Sequence, residues 1–305
     1  MPKSEPPPFF VILFFAAVTM AISVMLPREC VAQNYTSSLS GQSGGDPNRP
    51  PSAQNPRSVP QHPPVTAAEK SSTEAPSGDE KILFDHVNES RVLAGLAALR
   101  WDANLAAAAR KHCALLVQHE ALSHQFPGEE DLKERARQAG AAFSALAENV
   151  ALAATPDEIH YEWMHSPPHR ANILDPELTT IGIAEMPGNK GLYAVQDFSR
   201  AVENLTLQQQ EEKMRALIVA AGVRNADSPG PAQWSDARKA CQVTNGNVGR
   251  SSTFVKFDSS DLNQLPARLK SLLASGKYSS AAVGACDPGG SSDGFTHYRI
   301  AVLLY

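Results

Sequence analysis

The chain has no block of basic residues, and its formal net charge of −5 is spread over interspersed charges of both signs. Proteins that follow a phosphate backbone concentrate lysine and arginine in one run or on one face. The sequence therefore predicts no nucleic-acid partner. At 305 residues, the chain could hold two domains of ordinary size.

Charged residues are also missing from positions 9–26, an apolar run that follows Lys3 and precedes the small residues at 30–32. A basic start, an apolar run and small residues before a cleavage point are the parts of a secretory signal peptide. We expect residues 1–32 to be a signal peptide cleaved after Ala32, or an N-terminal membrane anchor if retained. The protein is therefore predicted to be secreted or periplasmic, with membrane attachment only through an uncleaved N-terminal segment.

Large aliphatic residues are scarce in the next segment, residues 33–77, which is rich in Pro, Ser, Gln, Asn and Gly. A segment of this composition cannot bury enough apolar surface to offset the entropy lost on ordering. We therefore predict a disordered linker over residues 33–77.

Cysteine is scarce as well, with four in the chain. Cys30 leaves with the predicted signal peptide, so Cys113, Cys241 and Cys286 remain. Disulfides persist in oxidising compartments and stabilise small domains. We predict a disulfide between Cys241 and Cys286 within the C-terminal part of the chain, which leaves Cys113 as a buried free thiol.

Helix signals are clear in the middle of the chain. Thr155 has the position of an N-cap and Pro156 that of the first helical residue. Pro167 and Pro168 exclude helix from the residues before them, so they end this helix and restart the chain at a fixed place. His169, which follows at once, is therefore predicted to be held in a defined position.

Apolar periodicity predicts further elements on both sides of this segment. Before it, we expect a helix from residue 77 to about 95, a core helix at 103–119 with His112 as a satisfied core residue, and a short solvated helix at 129–138. After it, we expect a hairpin at 179–198. The last hundred residues are predicted to form helices at 208–221, 233–241 and 261–274, and strands at 253–257, 281–286 and 296–304.

An ordered series of short motifs runs through the middle two-fifths of the chain, from about residue 80 to 199. The series consists of Asn88, Arg91, Leu122-Ser123-His124, Glu148-Asn149-Val150, Trp163, Ser166, His169-Arg170-Ala171-Asn172-Ile173-Leu174, Gly182 and Gln196-Asp197-Phe198. It resembles the bacterial branch of the CAP superfamily, which groups cysteine-rich secretory proteins, antigen-five allergens and pathogenesis-related proteins. The resemblance implies an α+β fold, an α-β-α sandwich over residues 78–201 (the CAP, or SCP, domain), followed by a small accessory α/β module at 205–305.

The resemblance also implies a site. Family members gather two histidines and two acids in a surface cavity, in some cases around a divalent metal, and His124, Glu148 and His169 match three of these positions. Ser166 stands at the fourth, so the set is incomplete. Because imidazole and carboxylate are the usual non-sulfur ligands of zinc, we predict that His124, Glu148 and His169 hold a divalent metal such as zinc.

Other interpretations of these residues remain open. The same three could perform general acid–base chemistry, with Glu148 orienting one histidine. In structural interpretations, Glu148 caps backbone N–H groups in a loop, His124 caps a helix C-terminus, and His169 orients the Pro-Pro junction. His165 is expected to be an exposed helix-end residue, although it is near enough in sequence to join the cluster.

Some catalytic motifs are missing. Neither Ser123 nor Ser166 lies in a Gly-x-Ser-x-Gly elbow, which argues against a serine hydrolase. The Gly-His-Tyr-Thr-Gln motif of eukaryotic CAP proteins is absent too, so their sterol binding is not expected here. We interpret the protein as a non-enzymatic binding or interaction protein whose partner is a small or apolar ligand or a cell-envelope component. The alternative is a metal-assisted hydrolase acting on peptide or cell-envelope substrate through His124, Glu148 and His169.

Overall fold

The computed structural model describes residues 33–36, 75–76, 78–223, 230–243, 251–289 and 294–305. The predicted signal peptide at 1–32 and most of the predicted linker at 33–77 lie outside the described residues. Within the described ranges, no helix has the length and apolar character needed to cross a membrane.

Five strands form the larger sheet: β1 (Gln33–Thr36), β2 (Arg100–Trp101), β3 (Phe143–Ala153), β4 (Thr180–Gly188) and β5 (Gly191–Ala201). Their order across the sheet is β1-β3-β5-β4-β2. β2 pairs with β4 in parallel and the other neighbours are antiparallel, so the sheet is mixed. Five helices accompany it: α1 (Gly78–Leu93), α2 (Ala103–His119), α3 (Leu132–Gln138), α4 (Pro156–His165) and α5 (Pro167–Ile173).

Helices cover both faces of this sheet. On one face, the buried apolar residues of α1, α4 and α5 pack on the strands; these are Leu83, Val87, Ile159, Trp163 and Ile173. On the other face, α2 contributes Ala109, Cys113 and Leu116. Alternate strand residues point to opposite faces, so β3, β4 and β5 each supply both cores. The predicted α+β class and α-β-α sandwich are confirmed.

Gly182 shows how closely α2 lies on the sheet. A Cβ atom built on this β4 residue would lie 2.0 Å from the backbone nitrogen of Ala106 in α2. No side chain fits into that space, because the clash is with backbone rather than with a flexible side-chain end.

The predicted junction around the two prolines is also confirmed. Thr155 accepts a hydrogen bond from the Glu158 N–H at 3.2 Å, as an N-cap should. The first helix ends at His165, and α5 begins at Pro167 with proline in its first turn.

The linker prediction is wrong for its first four residues. Residues Gln33–Thr36 form β1, whose partners are residues Ala145–Glu148 of β3. Composition failed to indicate this strand because an added edge strand is held by main-chain hydrogen bonds and needs no apolar pattern of its own.

The C-terminal residues form a second, three-stranded antiparallel sheet. Its elements are α6 (Leu207–Ala220), α7 (Pro231–Gln242), β6 (Thr253–Ser259), α8 (Ala267–Ala274), β7 (Ala281–Cys286) and β8 (Tyr298–Leu304), with strand order β6-β8-β7. The third helix begins six residues later than predicted, because Pro266 disfavours helix at the residue before it. Cys241 and Cys286 form the predicted disulfide, and Cys113 is buried with a free thiol.

This second unit contacts the sandwich. Phe295 packs in one core cluster with Leu132 of α3 and Phe143 of β3. The Thr296 N–H donates to the carbonyl of Phe143 at 2.8 Å. The helix α3 is therefore packed on one side by the C-terminal unit.

Candidate functional site

The three predicted site residues lie on three different elements. His124 follows α2 in a loop, Glu148 lies in the middle of β3, and His169 is the third residue of α5. Their exposed fractions are 7%, 0% and 1%. All three side chains are therefore largely buried.

Glu148 uses both of its carboxylate oxygens. The Nδ1–H of His124 donates to Oε1 at 2.7 Å, and the guanidinium of Arg135 donates to Oε2. Burial alone would raise the pKa of Glu148, but the His124 hydrogen bond and the Arg135 charge hold it below its ordinary value. The loop-capping interpretation is wrong, since the residue is in a strand and its carboxylate binds side chains.

His124 is oriented by that bond. Because Nδ1 is the nitrogen that donates to Glu148, Nε2 is the ring atom left for another partner. This Nε2 atom is buried, and the described residues offer it no hydrogen-bond partner. The helix-cap interpretation is wrong as well, because α2 is capped by Glu120 in the left-handed conformation.

His169 has a similar unused nitrogen. Its Nε2 is buried and finds no partner within the described part of the chain. Burial first, and then the nearby charge of His124, lower the pKa of His169 to about 4. The ring is therefore neutral at physiological pH.

Arg135 is a site residue that the sequence interpretation missed. It was assigned to a solvated helix, yet its side chain is buried and its Nη1 donates to the His124 carbonyl at 3.1 Å. Burial lowers its pKa, but the surrounding carboxylates, Glu148 first, raise it above the ordinary value overall. Leu132 and Ala136, four residues apart, mark the buried face of α3 on which Arg135 lies.

A second histidine–carboxylate pair lies on the other side of Arg135. Glu129 Oε1 is 3.4 Å from Arg135 Nη1 and 2.6 Å from His112 Nδ1. His112 Nε2 donates to the Ser123 carbonyl at 2.8 Å. His112 is thus the satisfied core residue that was predicted, and it belongs to a buried charged network.

Asp197 was named only as part of the motif series. In the β3–β5 register it lies directly opposite Glu148 and is fully buried. Neither of its carboxyl oxygens has a hydrogen-bond partner among the residues described. Burial raises the pKa of Asp197 well above its ordinary value, and the charge of Glu148 raises it further.

Amide side chains connect the strand to α5. Asn149 donates to the His169 carbonyl at 3.2 Å, and Asn172 donates to the Asn149 side-chain oxygen at 2.9 Å. Asn172 also donates to the Glu148 carbonyl at 3.3 Å. Asn172 therefore joins α5 to β3 through both main-chain and side-chain hydrogen bonds.

The remaining candidates take other roles. His165 is exposed and donates to the Tyr161 carbonyl at 2.7 Å, so it does not join the cluster. The Ser123 hydroxyl donates to the Gln125 carbonyl at 2.7 Å rather than to a histidine.

A cleft of about 700 Å³ lies elsewhere, between α3 and the C-terminal unit. Lys133, Arg137 and Phe295 are among its lining residues, and none of the three predicted site residues lines it.

The fit to a metal ion is partial. Across the described ranges, no three His, Cys, Asp or Glu side chains are placed to share one ion. Glu148 is engaged by His124 and Arg135, which leaves two imidazole nitrogens as available ligands. Two imidazole nitrogens, one of them on a histidine that a carboxylate orients, therefore remain without partners among the described residues.

Comparison with known proteins agrees with this architecture. Residues 84–198 match the model of the CAP, or cysteine-rich secretory protein, family. The uncharacterized protein YkwD of Bacillus subtilis is 32% identical over 125 residues, which cover 39% of this chain and 49% of that protein. The chain thus spans about half the length of this relative. Residues 84–198 therefore form a CAP domain of bacterial type.

Solved structures show further likenesses. An outer surface protein of Borrelia burgdorferi is 20% identical, with a TM-score of 0.38, over 40% of this chain and 92% of that chain. An extracellular SCP-domain protein of Bacillus anthracis is 27% identical, with a TM-score of 0.35, over 39% of each chain. A cysteine-rich secretory protein of Staphylococcus aureus is 26% identical, with a TM-score of 0.32, over 39% of this chain and 38% of that chain.

Proposed function

We propose that this CAP protein is an exported binding protein in which His124 and His169 hold a divalent cation, with zinc as the best match. One observation carries the proposal: two neighbouring imidazoles each keep a buried Nε2 atom for which the described residues supply no partner. A buried polar atom without a partner requires an explanation, and a neutral imidazole nitrogen is a good zinc ligand.

The surroundings of the two rings support this role. Glu148 fixes the His124 tautomer, and a carboxylate on the far nitrogen raises the basicity of the ligating one. The low pKa of His169 means that protons do not compete for its ring near neutral pH. Water or a small ligand would complete the coordination.

Binding is favoured over turnover because both imidazoles are almost fully buried, whereas a hydrolase must bring a scissile bond to its nucleophile. The rival function is a metal-assisted hydrolase that uses the same residues on peptide or cell-envelope substrate. In that case the cation would supply a Lewis acid and an activated water.

Export is supported by the N-terminal sequence and by the Cys241–Cys286 disulfide, since such bonds persist in oxidising compartments. A small ligand or a cell-envelope component is the partner class that we propose for such a protein.

Calorimetric titration of untagged protein with zinc tests the proposal. Wild type should bind with a Kd below about 1 mM, His169→Ala should lose binding, and the matched control His165→Ala should retain it. Failure of wild type to bind, or binding that survives His169→Ala, would contradict the cation site.

An activity assay on peptide and cell-wall substrates separates the rival function. Turnover that disappears in His169→Ala would favour the hydrolase over a pure binding role. Turnover that persists in this variant would exclude the site as its origin.

A further inference from the structure

The outer edge of β3 has an unusual occupant. β5 pairs along the inner side of this eleven-residue strand, from Phe143 to Ala153. On the outer side its strand partner is β1, which covers only residues Ala145–Glu148. The four residues of β1 are separated from the rest of the domain by the long segment 37–77.

Other groups close this edge on both sides of β1. The carbonyl of Val150 accepts from the indole of Trp163 at 3.3 Å. At the start of the strand, the Phe143 N–H donates to the Thr296 hydroxyl at 3.1 Å, and its carbonyl accepts from the Thr296 N–H. Between these closures lies a gap at residues 144–149 of β3, of which β1 covers residues 145–148.

Alternation along the strand shows which main-chain groups face the gap. The carbonyls of Glu148 and Val150 bind side chains of α5 and α4, so they point away from β5. In an antiparallel strand, the main-chain N–H and C=O groups of every second residue point to the same side. The main chain of Leu146 therefore also points outward, toward Tyr35, while Glu148 faces Gln33.

We propose that residues 145–148 of β3 form a peptide-binding edge, which takes an extended segment as an added antiparallel strand and is occupied in cis by residues 33–36. Strand addition of this kind obtains affinity from main-chain hydrogen bonds. The occupied state also satisfies strand groups that would otherwise lack partners. Residues 37–77 separate β1 from α1 along the sequence, and the entropic cost of closing so long a separation makes β1 displaceable.

The position of the edge gives it a functional context. Glu148 faces the edge with its main chain and orients His124 with its carboxylate. A peptide added as a strand would therefore lie beside the histidine pair. Peptide binding requires no cation, so this inference stands or falls independently of zinc binding.

A pair of proline variants of the full chain tests the edge. Tyr35→Pro removes an N–H that faces Leu146, whereas the control Asn34→Pro removes one that points away from β3, where an edge strand tolerates proline. The probe is a fluorescein-labelled synthetic peptide of residues 33–40, followed by fluorescence anisotropy. Tyr35→Pro should bind it at least about ten-fold more tightly than wild type or Asn34→Pro.

Equal binding by all three proteins, or binding by none of them, would overturn the proposal. A probe peptide with proline at the Tyr35 position should not bind. Amide hydrogen exchange on wild type gives a result that does not depend on the folding of the variants. The Leu146 and Glu148 amides should be protected, and unprotected amides at these residues would overturn the proposal too.

Discussion

Two histidine–carboxylate pairs lie on either side of Arg135, and they are used differently. In the His112–Glu129 pair, both ring nitrogens are engaged, one by the carboxylate and one by the Ser123 carbonyl. In the His124–Glu148 pair, one ring nitrogen is engaged and the other has no partner among the described residues. The same pairing therefore gives a structural element on one side and an available ligand atom on the other.

Replacing Arg135, whose guanidinium lies between the two carboxylates, should have the largest effect on stability. Arg135→Met leaves the buried Glu129 and Glu148 carboxylates without their common partner, so the free energy of unfolding should fall by about 3–5 kcal/mol. Urea denaturation measures this loss. Arg137→Met, on the exposed side of the same helix, should leave stability close to that of wild type, because a solvent-exposed ion pair contributes little. Similar losses in both variants would show that Arg135 is not the centre of the network.

Replacing His112 should mainly lower stability, whereas replacing His124 should mainly abolish zinc binding. His112→Leu deprives the buried Glu129 carboxylate and the Ser123 carbonyl of one hydrogen bond each, so we expect it to cost about 2–3 kcal/mol of stability without weakening zinc binding. His124→Leu should abolish zinc binding at a smaller stability cost, because it deprives only Glu148 of a bond. Urea denaturation and calorimetry on both variants check this. A loss of zinc binding in His112→Leu would remove the distinction between the pairs.

The two carboxylates sharpen the same contrast. Glu148→Gln weakens the orientation of His124, so zinc affinity should fall about 10- to 100-fold. Glu129→Gln is the matched control, since it orients the histidine whose nitrogens are both engaged, and its zinc affinity should equal that of wild type. Calorimetric titration of both variants decides whether only one pair serves the ion.

The effect of Asp197 should appear as a pH dependence of the free energy of unfolding. Its pKa is raised in the folded protein, so it keeps a proton there that the unfolded chain releases above the ordinary aspartate pKa of 3.8. Its contribution to stability is therefore present below that value and is lost as pH rises through the folded pKa. The slope is limited to about 1.4 kcal/mol per pH unit.

Asp197→Asn should remove that slope, because its neutral amide has no proton to release as the pH rises. Urea denaturation at several pH values, taken as the difference between the two proteins, measures this. A difference that is independent of pH would mean that Asp197 does not carry the raised pKa.

Residues whose role is local were predictable from the sequence. Pro167 and Pro168 fix a helix junction through their own covalent geometry, so the position of His169 at the start of a new helix could be predicted. The Cys241–Cys286 bond followed from the cysteine count and the compartment. The motif series also selected His124 and Glu148, which the structure brings into contact.

Residues whose role depends on distant partners were missed. Arg135 looked like one charge of a solvated helix, because its carboxylate partner is on a strand that the helix meets only after folding. Asp197 faces Glu148 through a strand register that the local pattern does not specify. The strand β1 was missed because it pairs with main-chain groups of β3. Main-chain pairing does not require a particular pattern of residue types in the sequence.

The sequence by itself therefore determined the CAP sandwich, the proline junction, the disulfide and the identity of the two histidines. These depend on apolar periodicity, covalent geometry and an ordered set of residue types, all of which can be read directly from the sequence. Only the tertiary structure decided that Glu148 orients a histidine, that Arg135 joins two buried pairs, and that the edge of β3 takes a strand. Each of these depends on electrostatic or main-chain contacts between residues far apart in sequence, which form only when the elements pack.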